Sequence, residues 1–120
     1  MIEIDVQTQY VQAQSEPDND RYVFAYTITI TNRSDQQCQL LNRHWLITDA
    51  GGEVEEVQGE GVVGQKPVLQ PGESFQYTSG AVLKTPVGSM HGEYEFVDSA
   101  GAKFIAPIAA FSLSIPNLVH

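Results

Sequence analysis

The chain has 120 residues, of which 42% are hydrophobic and 18% charged, so its composition predicts one globular domain over residues 1–120. Fifteen acidic residues against six basic ones give a net charge of −9, which disfavours general binding to nucleic acid or to anionic membranes. The sequence contains no apolar run long enough to span a membrane and no signal peptide, and its single cysteine cannot form an internal disulfide. We therefore expect a cytoplasmic protein.

The first half of the chain alternates apolar and polar residues with the period of two that is typical of β-strands. Residues 2–6 predict a half-buried strand near a sheet edge, and residues 12–20 predict a loop. The clearest strand covers residues 22–31, with aromatic residues and isoleucine on one face and mainly threonine on the other. A third strand, from about 38 to 48, has apolar residues on both faces, which predicts a central position in its sheet. Alternation groups Leu41 with Trp45 and Ile47 on one face, and Leu40 with Leu46 on the other.

Turn signals divide the middle of the chain into further short strands. Residues 49–52 predict a hairpin turn that leads into a short return strand over residues 53–58. Pro71-Gly72 fits the centre of a type II turn, before a strand that starts at Phe75 and ends near residue 80. Residues 81–88 predict a loop.

The end of the chain predicts two more strands joined by a turn. Met90, Tyr94 and Phe96 share one parity and predict the buried face of the first strand. The last strand covers residues 104–115, where Pro107 must lie at an edge or a bulge because it cannot donate a ladder hydrogen bond. About seven short strands without helical periodicity predict an all-β fold, a β-sandwich.

Three glycines in the middle of the chain, Gly59, Gly61 and Gly64, form the pattern G-x-G-x-x-G. In a dinucleotide-binding site this pattern opens a helix, but Pro71-Gly72 would end any helix here before it completes two turns. We therefore reject a Rossmann-type site. Two alternatives stay open: the glycines supply positive φ angles for a tight connection, or the loop binds an anion through its backbone N–H groups with Lys66 beside it.

The sequence offers no catalytic or metal-binding constellation. Cys38 could be a nucleophile with His44 or His91 as its base, but nothing beside Cys38 in the sequence would activate its thiol. His44, His91 and His120 lack the paired spacing of metal ligands. The glutamates of residues 53–56 favour a charged strand edge over a cation site. We therefore expect no enzymatic activity, no cofactor and no metal site.

Arg43 and Trp45 form the most unusual polar–aromatic pair, since alternation places them on one face of the third strand. A tryptophan on a central strand of a sandwich usually packs in the core, and we expect this of Trp45. If the pair were exposed, it would suit a hot spot for protein binding.

Several segments are similar to the ApaG family of bacterial proteins: Gln39-Leu40, Arg43–Asp49, Val57–Pro67, Leu69–Phe75, Tyr77–Gly80, Leu83–Pro86, Met90–Tyr94 and Phe111–Leu113. The resemblance covers nearly the whole chain. It implies an immunoglobulin-like or fibronectin type III-like sandwich of about seven strands. It also implies a binding role, since similar domains occur in eukaryotic F-box proteins and in a polymerase-interacting protein, and a link to cobalt and magnesium tolerance.

We therefore expect a cytoplasmic, non-enzymatic module that binds a protein partner, with Gly59, Gly61, Gly64, Lys66 and Arg43 as candidate contacts. The alternative is a sensor that binds a pyrophosphate-bearing nucleotide, or a weak anion, in the loop over residues 59–64, because the glycine motif of the family has been likened to a pyrophosphate-binding loop. We expect no nucleic acid or membrane partner. The chain is expected to be a monomer, or a homodimer paired through its second or last strand.

Overall fold

The chain forms eight strands, seen in a computed structural model that describes residues 1–116; residues 117–120, His120 among them, lie outside the described residues. The strands are β1 (Ile2–Tyr10), β2 (Tyr22–Asn32), β3 (Cys38–Asp49), β4 (Val54–Glu60), β5 (Val68–Leu69), β6 (Ser74–Leu83), β7 (Val87–Asp98) and β8 (Lys103–Ser114). Two single-turn 3-10 helices, Gln12–Gln14 and Pro17–Asn19, lie in the first loop. No helix in the described part of the chain is long and apolar enough to cross a membrane.

The strands build two antiparallel sheets that face each other. One sheet has the order β1-β2-β6, and the other has the order β4-β3-β7-β8, with β5 paired to the start of β3. The predicted all-β sandwich is confirmed. The strand beyond the predicted seven is β5, whose two residues are too few for the alternation of side chains to be visible in the sequence.

Alternation along β2 determines which side chains enter the core between the sheets. Ile28 and Ile30 are fully buried, while Thr27 lies on the outer face, where its hydroxyl hydrogen-bonds that of Thr78 on β6 at 2.8 Å. Across the core, Trp45 of β3 contacts three aromatic rings edge-on, with centroid distances of 5.6 to 6.1 Å: Tyr26, Tyr94 and Phe111. The expected core position of Trp45 is confirmed.

A β-bulge changes the face pattern of β3. Leu40 and Trp45 are both buried although they are five positions apart, which would place them on opposite faces of a regular strand, because the register with β7 shifts between Leu40 and Asn42. The extra residue is Leu41, which is only half-buried. The predicted grouping of Leu41 with Trp45 was therefore wrong, since a bulge exchanges the two faces of a strand.

The loop predicted over residues 81–88 was also wrong, because β6 continues to Leu83 and β7 starts at Val87. Ala81 and Leu83 are buried, and Leu83 pairs with the first residue of β2. Gly88 interrupts the apolar pattern for a tertiary reason: a Cβ there would lie 2.5 Å from the carbonyl oxygen of Thr48 on β3. Glycine in a strand often marks such a close approach of two backbones.

Strand positions decide which edges stay open for further pairing. The predicted edge position of Pro107 is confirmed: β8 ends its sheet, and the ladder with β7 leaves the missing N–H of Pro107 on the free side. The second strand, however, lies between β1 and β6, so a homodimer paired through it is excluded. Pairing through β8 stays a prediction, and a proline at its edge disfavours it.

Candidate functional site at the glycine loop

The candidate residues meet in one connection, which we call the glycine loop and define as residues 59–66. It starts in β4 and leads towards β5. At its tip, Val62 and Gln65 exchange backbone hydrogen bonds of 2.8 and 2.9 Å. The two residues between them, Val63 and Gly64, have φ angles of +44° and +79°, as in a type I′ turn. A strand follows this loop, not a helix, which confirms the rejection of a Rossmann-type site.

Each glycine of the motif has a separate structural reason. Gly61 has a φ of +63°, and a Cβ on it would clash with the carbonyl oxygen of Gln65 across the turn. Gly64 has open space around it but needs its positive φ. Gly59 has no positive φ; instead, a Cβ there would lie 2.9 Å from the guanidinium of Arg43. The structural interpretation therefore accounts for all three glycines, although positive φ explains only two of them.

Arg43 fastens the glycine loop to β3. Its guanidinium crosses β4 in the space that Gly59 leaves free, and Nη1 donates to the carbonyl oxygens of Glu60 and Gly61 at 3.0 Å each. A charged donor on two backbone oxygens is among the stronger hydrogen bonds of a protein. The Arg43 charge is thus directed at the loop itself.

Lys66 is also engaged within the loop. Its ammonium donates to Glu60 Oε1 at 2.6 Å, and this hydrogen bond lowers the pKa of the Glu60 carboxyl below its ordinary value. The N–H groups of Gly61, Val62 and Gln65 all donate to backbone oxygens. An anion bound by these N–H groups or by Lys66 would therefore compete with bonds already formed. Anion binding stays a prediction, and the geometry supports it less than it supports a structural role.

Val63 is the unusual residue of the loop, and the sequence analysis missed it. Its φ of +44° is strained for a β-branched side chain by about 1–2 kcal/mol. Burial does not offset this strain, because Val63 is 52% exposed, whereas its neighbour Val62 is fully buried between the sheets. Val62 and Gln65 bridge across a two-residue turn formed by Val63 and Gly64. Such a turn prefers Asn-Gly, so the valine directly before Gly64 was the only sequence signal for this feature.

A small cleft of about 170 Å³ opens beside Val63 between the two sheets. Its walls carry Tyr26, Trp45, Tyr77 and Ser79, with Arg43 at one side. The hydroxyl of Tyr77 hydrogen-bonds that of Tyr94 below the cleft, and burial raises the pKa of both phenols. Both tyrosines are therefore neutral, so the Arg43 guanidinium is the charged group of the cleft, whose accessible lining is more polar than apolar.

A broader groove of about 500 Å³ lies on the outer face of the larger sheet, on the other side of Arg43. Two of its polar side chains have close partners: Asn42 donates to Glu95 at 2.8 Å, and His44 Nε2 lies 2.6 Å from Glu56 of β4. The hydrogen bond with His44 lowers the pKa of Glu56. Across residues 1–116, no group of three or more His, Cys, Asp or Glu side chains is placed to hold a metal ion.

Cys38, the candidate nucleophile that the sequence analysis set aside, is buried at the start of β3. Its sulfur lies 3.7 Å from the Ser34 hydroxyl and 3.5 Å from the Gln36 carbonyl oxygen. These neighbours are neutral and cannot act as a base towards the thiol.

The sequence of this chain is similar to those of a known protein family. The profile of the ApaG domain family matches residues 12–98. The chain is 56% identical to Protein ApaG of Shewanella pealeana, covering 99% of this chain and 94% of the relative, and 55% identical to Protein ApaG of Escherichia coli, covering 98% and 94%.

Solved structures agree with these relatives. A Bordetella pertussis protein whose crystal structure carries the name ApaA superposes with a TM-score of 0.96 at 48% identity, covering 98% of this chain and 96% of that one. An Archaeoglobus fulgidus protein, at 10% identity and a TM-score of 0.54, covers 98% of this chain and all of its own; it shares the fold alone.

Proposed function

The chain belongs to the ApaG family, and we propose that it is a non-enzymatic domain that binds a partner protein through the glycine loop. Val63 is the observation that carries this proposal. A strained, half-exposed valine at the tip of a connection that Arg43 holds in place gains nothing for the folded domain. Breaks of a local rule without a compensating gain are expected at functional sites.

The surroundings of Val63 support a protein as partner. Aromatic side chains line the adjacent cleft together with Arg43 and Ser79, so that a partner's side chain with an apolar body and a polar end would fit beside Val63. Aromatic walls of this kind are enriched at protein interfaces.

The proposal is tested by capture of partners on the immobilised full chain, followed by quantitative mass spectrometry. A substitution at Gly61 does not serve this test, because any side chain there would clash with Gln65 and distort the loop. Val63→Asn is preferable, since asparagine tolerates positive φ and leaves the turn intact. The matched control is Ile105→Asn, which removes a similarly exposed side chain from β8.

We expect Val63→Asn to lose at least one specific partner that wild type and Ile105→Asn both retain. An identical set of captured proteins for all three would contradict a binding surface at Val63. Unchanged amide spectra outside the loop would show that any loss is not due to unfolding.

A pyrophosphate-binding sensor is the alternative, and titration of the labelled chain with inorganic pyrophosphate separates it from the first proposal. Saturable amide shifts confined to residues 59–66, weakened by Lys66→Glu, would favour the sensor. Absence of shifts at millimolar pyrophosphate would count against it. The cytoplasmic location and the link to cobalt and magnesium tolerance stay predictions.

A further inference from the structure

A second groove lies on the same side of the sandwich, between the edges of β4 and β6, and encloses about 380 Å³. Ile47 and Leu83 form its buried floor. Val54 and Val82 stand on its two rims, 57% and 48% exposed. A volume of this size lies within the range of ligand-binding pockets.

One wall of the groove is an unpaired strand edge. In an antiparallel ladder, alternate residues direct their N–H and C=O groups to the same neighbour. The bond from Asn32 N to Glu73 O sets this alternation, so that odd-numbered residues of β6 bond β2 and even-numbered residues face away. Gly80 and Val82 therefore present unpaired backbone groups along this edge. Because Gly80 has no side chain, another backbone can approach it closely.

The other wall is acidic. Three carboxylates, those of Asp49, Glu53 and Glu55, line the groove together with one ammonium, that of Lys84. Lys84 lies 3.7 Å from Glu53, and both side chains are largely exposed, so this pair is weak. A cationic side chain that enters the groove would thus meet a surplus of negative charge, while its aliphatic stem would pack on the apolar floor.

We propose that this groove binds an extended segment of a partner protein, which adds to the edge of β6 as a further strand. Backbone hydrogen bonds to Gly80 and Val82 would provide affinity, and side chains at alternate positions would provide specificity. The charges require Lys or Arg pointing into the groove, towards Glu53 and Glu55. The positions between them would carry β-branched residues beside Val82. This surface is separate from the glycine loop and does not include Val63, so the inference goes beyond the function proposed above.

The test is a titration of the isotope-labelled full chain with a synthetic peptide of alternating lysine and valine, followed by amide-resolved NMR. We expect saturable shifts at Gly80, Val82 and Val54. One control peptide has the same sequence with N-methylated lysines, and another with N-methylated valines; at least one of them should lose binding, because one set of N–H groups must face β6. A third peptide that alternates glutamate and valine should not bind.

Variants of the chain locate the peptide. Val82→Lys removes an apolar contact and repels the peptide, so we expect affinity to fall about tenfold or more, a change of about 1.4 kcal/mol or more. Ile105→Lys makes the same charge change at a similarly exposed residue of β8 and should leave affinity unchanged. Val63→Asn should also leave it unchanged, so failure of the glycine-loop proposal and failure of this one are distinguishable.

Three outcomes would overturn the inference. Binding of both N-methylated peptides as tightly as the unmethylated peptide would show charge attraction without strand addition. Shifts confined to the outer face around Glu93 and Glu95 would place the peptide in the other groove. A dimer seen by light scattering without peptide, with Val82→Lys monomeric, would assign the groove to a second copy of the chain.

Discussion

The two long sides of the sandwich, where an edge strand of one sheet approaches an edge strand of the other, differ in how they use apolar side chains. On the β1/β8 side the edge strands contact each other, and half-buried residues pack against the core from both: Ile2, Ile4, Val6, Phe104 and Phe111. On the β4/β6 side the edges do not pair, and two cavities lie along it. Val54, Val63 and Val82 stay exposed there.

This difference indicates a division of roles between stability and binding. On the β1/β8 side most apolar groups pack against the core, with Ile105 of β8 as an exposed exception, and burial of apolar surface is the main source of folding free energy. The β4/β6 side leaves three exposed valines and one strained φ angle, none of which stabilises the isolated domain. Both proposed binding surfaces lie on that side.

The largest expected effect comes from the buried part of β8. Leu113 is fully buried, so Leu113→Ala removes apolar contacts and leaves a cavity, and should lower the free energy of unfolding by about 3–4 kcal/mol. Chemical denaturation measures this change. Ile105→Ala on the same strand, half-exposed, should change it by less than about 0.5 kcal/mol. Similar losses for both variants would contradict the assignment of Leu113 to the core.

Substitutions in the glycine motif should separate steric clash from backbone strain. Gly61→Ala has both, because its Cβ meets Gln65 and its φ is positive, and should lower stability by about 2–3 kcal/mol. Gly64→Ala has open space and should lose only about 1 kcal/mol. Denaturation midpoints of the two variants check the order. If Gly64→Ala were the more damaging, the clash at Gly61 would be relieved by movement of the turn.

Val63→Asn should raise the stability of the domain, whereas the glycine substitutions lower it. Asparagine adopts positive φ more readily than a β-branched residue, so the variant should be more stable by about 1 kcal/mol, or about 3–5 °C in Tm. Calorimetry measures the shift. Val68→Asn is a control, since Val68 is also exposed but has no positive φ. Equal Tm changes in both variants would mean that strain at Val63 is not the cause.

The smallest effect concerns pH. The pKa of Glu56 is lowered below its ordinary value of 4.5 mainly by the hydrogen bond with His44. A carboxyl with a lowered folded pKa adds stability above its unfolded pKa, and this is lost as the pH falls through the folded pKa. Glu56→Gln should therefore have a slightly lower Tm than wild type at pH 7, and the difference should shrink as the pH falls below 4.5 and disappear below the folded pKa. A Tm difference between the two proteins that grows as the pH falls would contradict this prediction.

Much of the fold was determined by the sequence alone, because alternation of apolar residues and turn chemistry are local. The alternation in β2, the central position of β3 and the edge position of Pro107 all follow from a period of two and from the missing N–H of proline. The turn at Pro71-Gly72 followed in the same way: Gly72 has a φ of +84°, and Glu73 N donates to Gln70 O. The candidate residues of the glycine loop were also found from sequence.

Only the tertiary structure decided what those residues do. The bulge at Leu41 depends on the register with β7, and the reason for Gly59 is an arginine that crosses it from another strand. The strain at Val63 arises because Val62 and Gln65 close the turn around it. The groove beside Val82 exists because two edges from different sheets stop short of pairing. Each of these depends on partners distant in the chain, which no local pattern encodes.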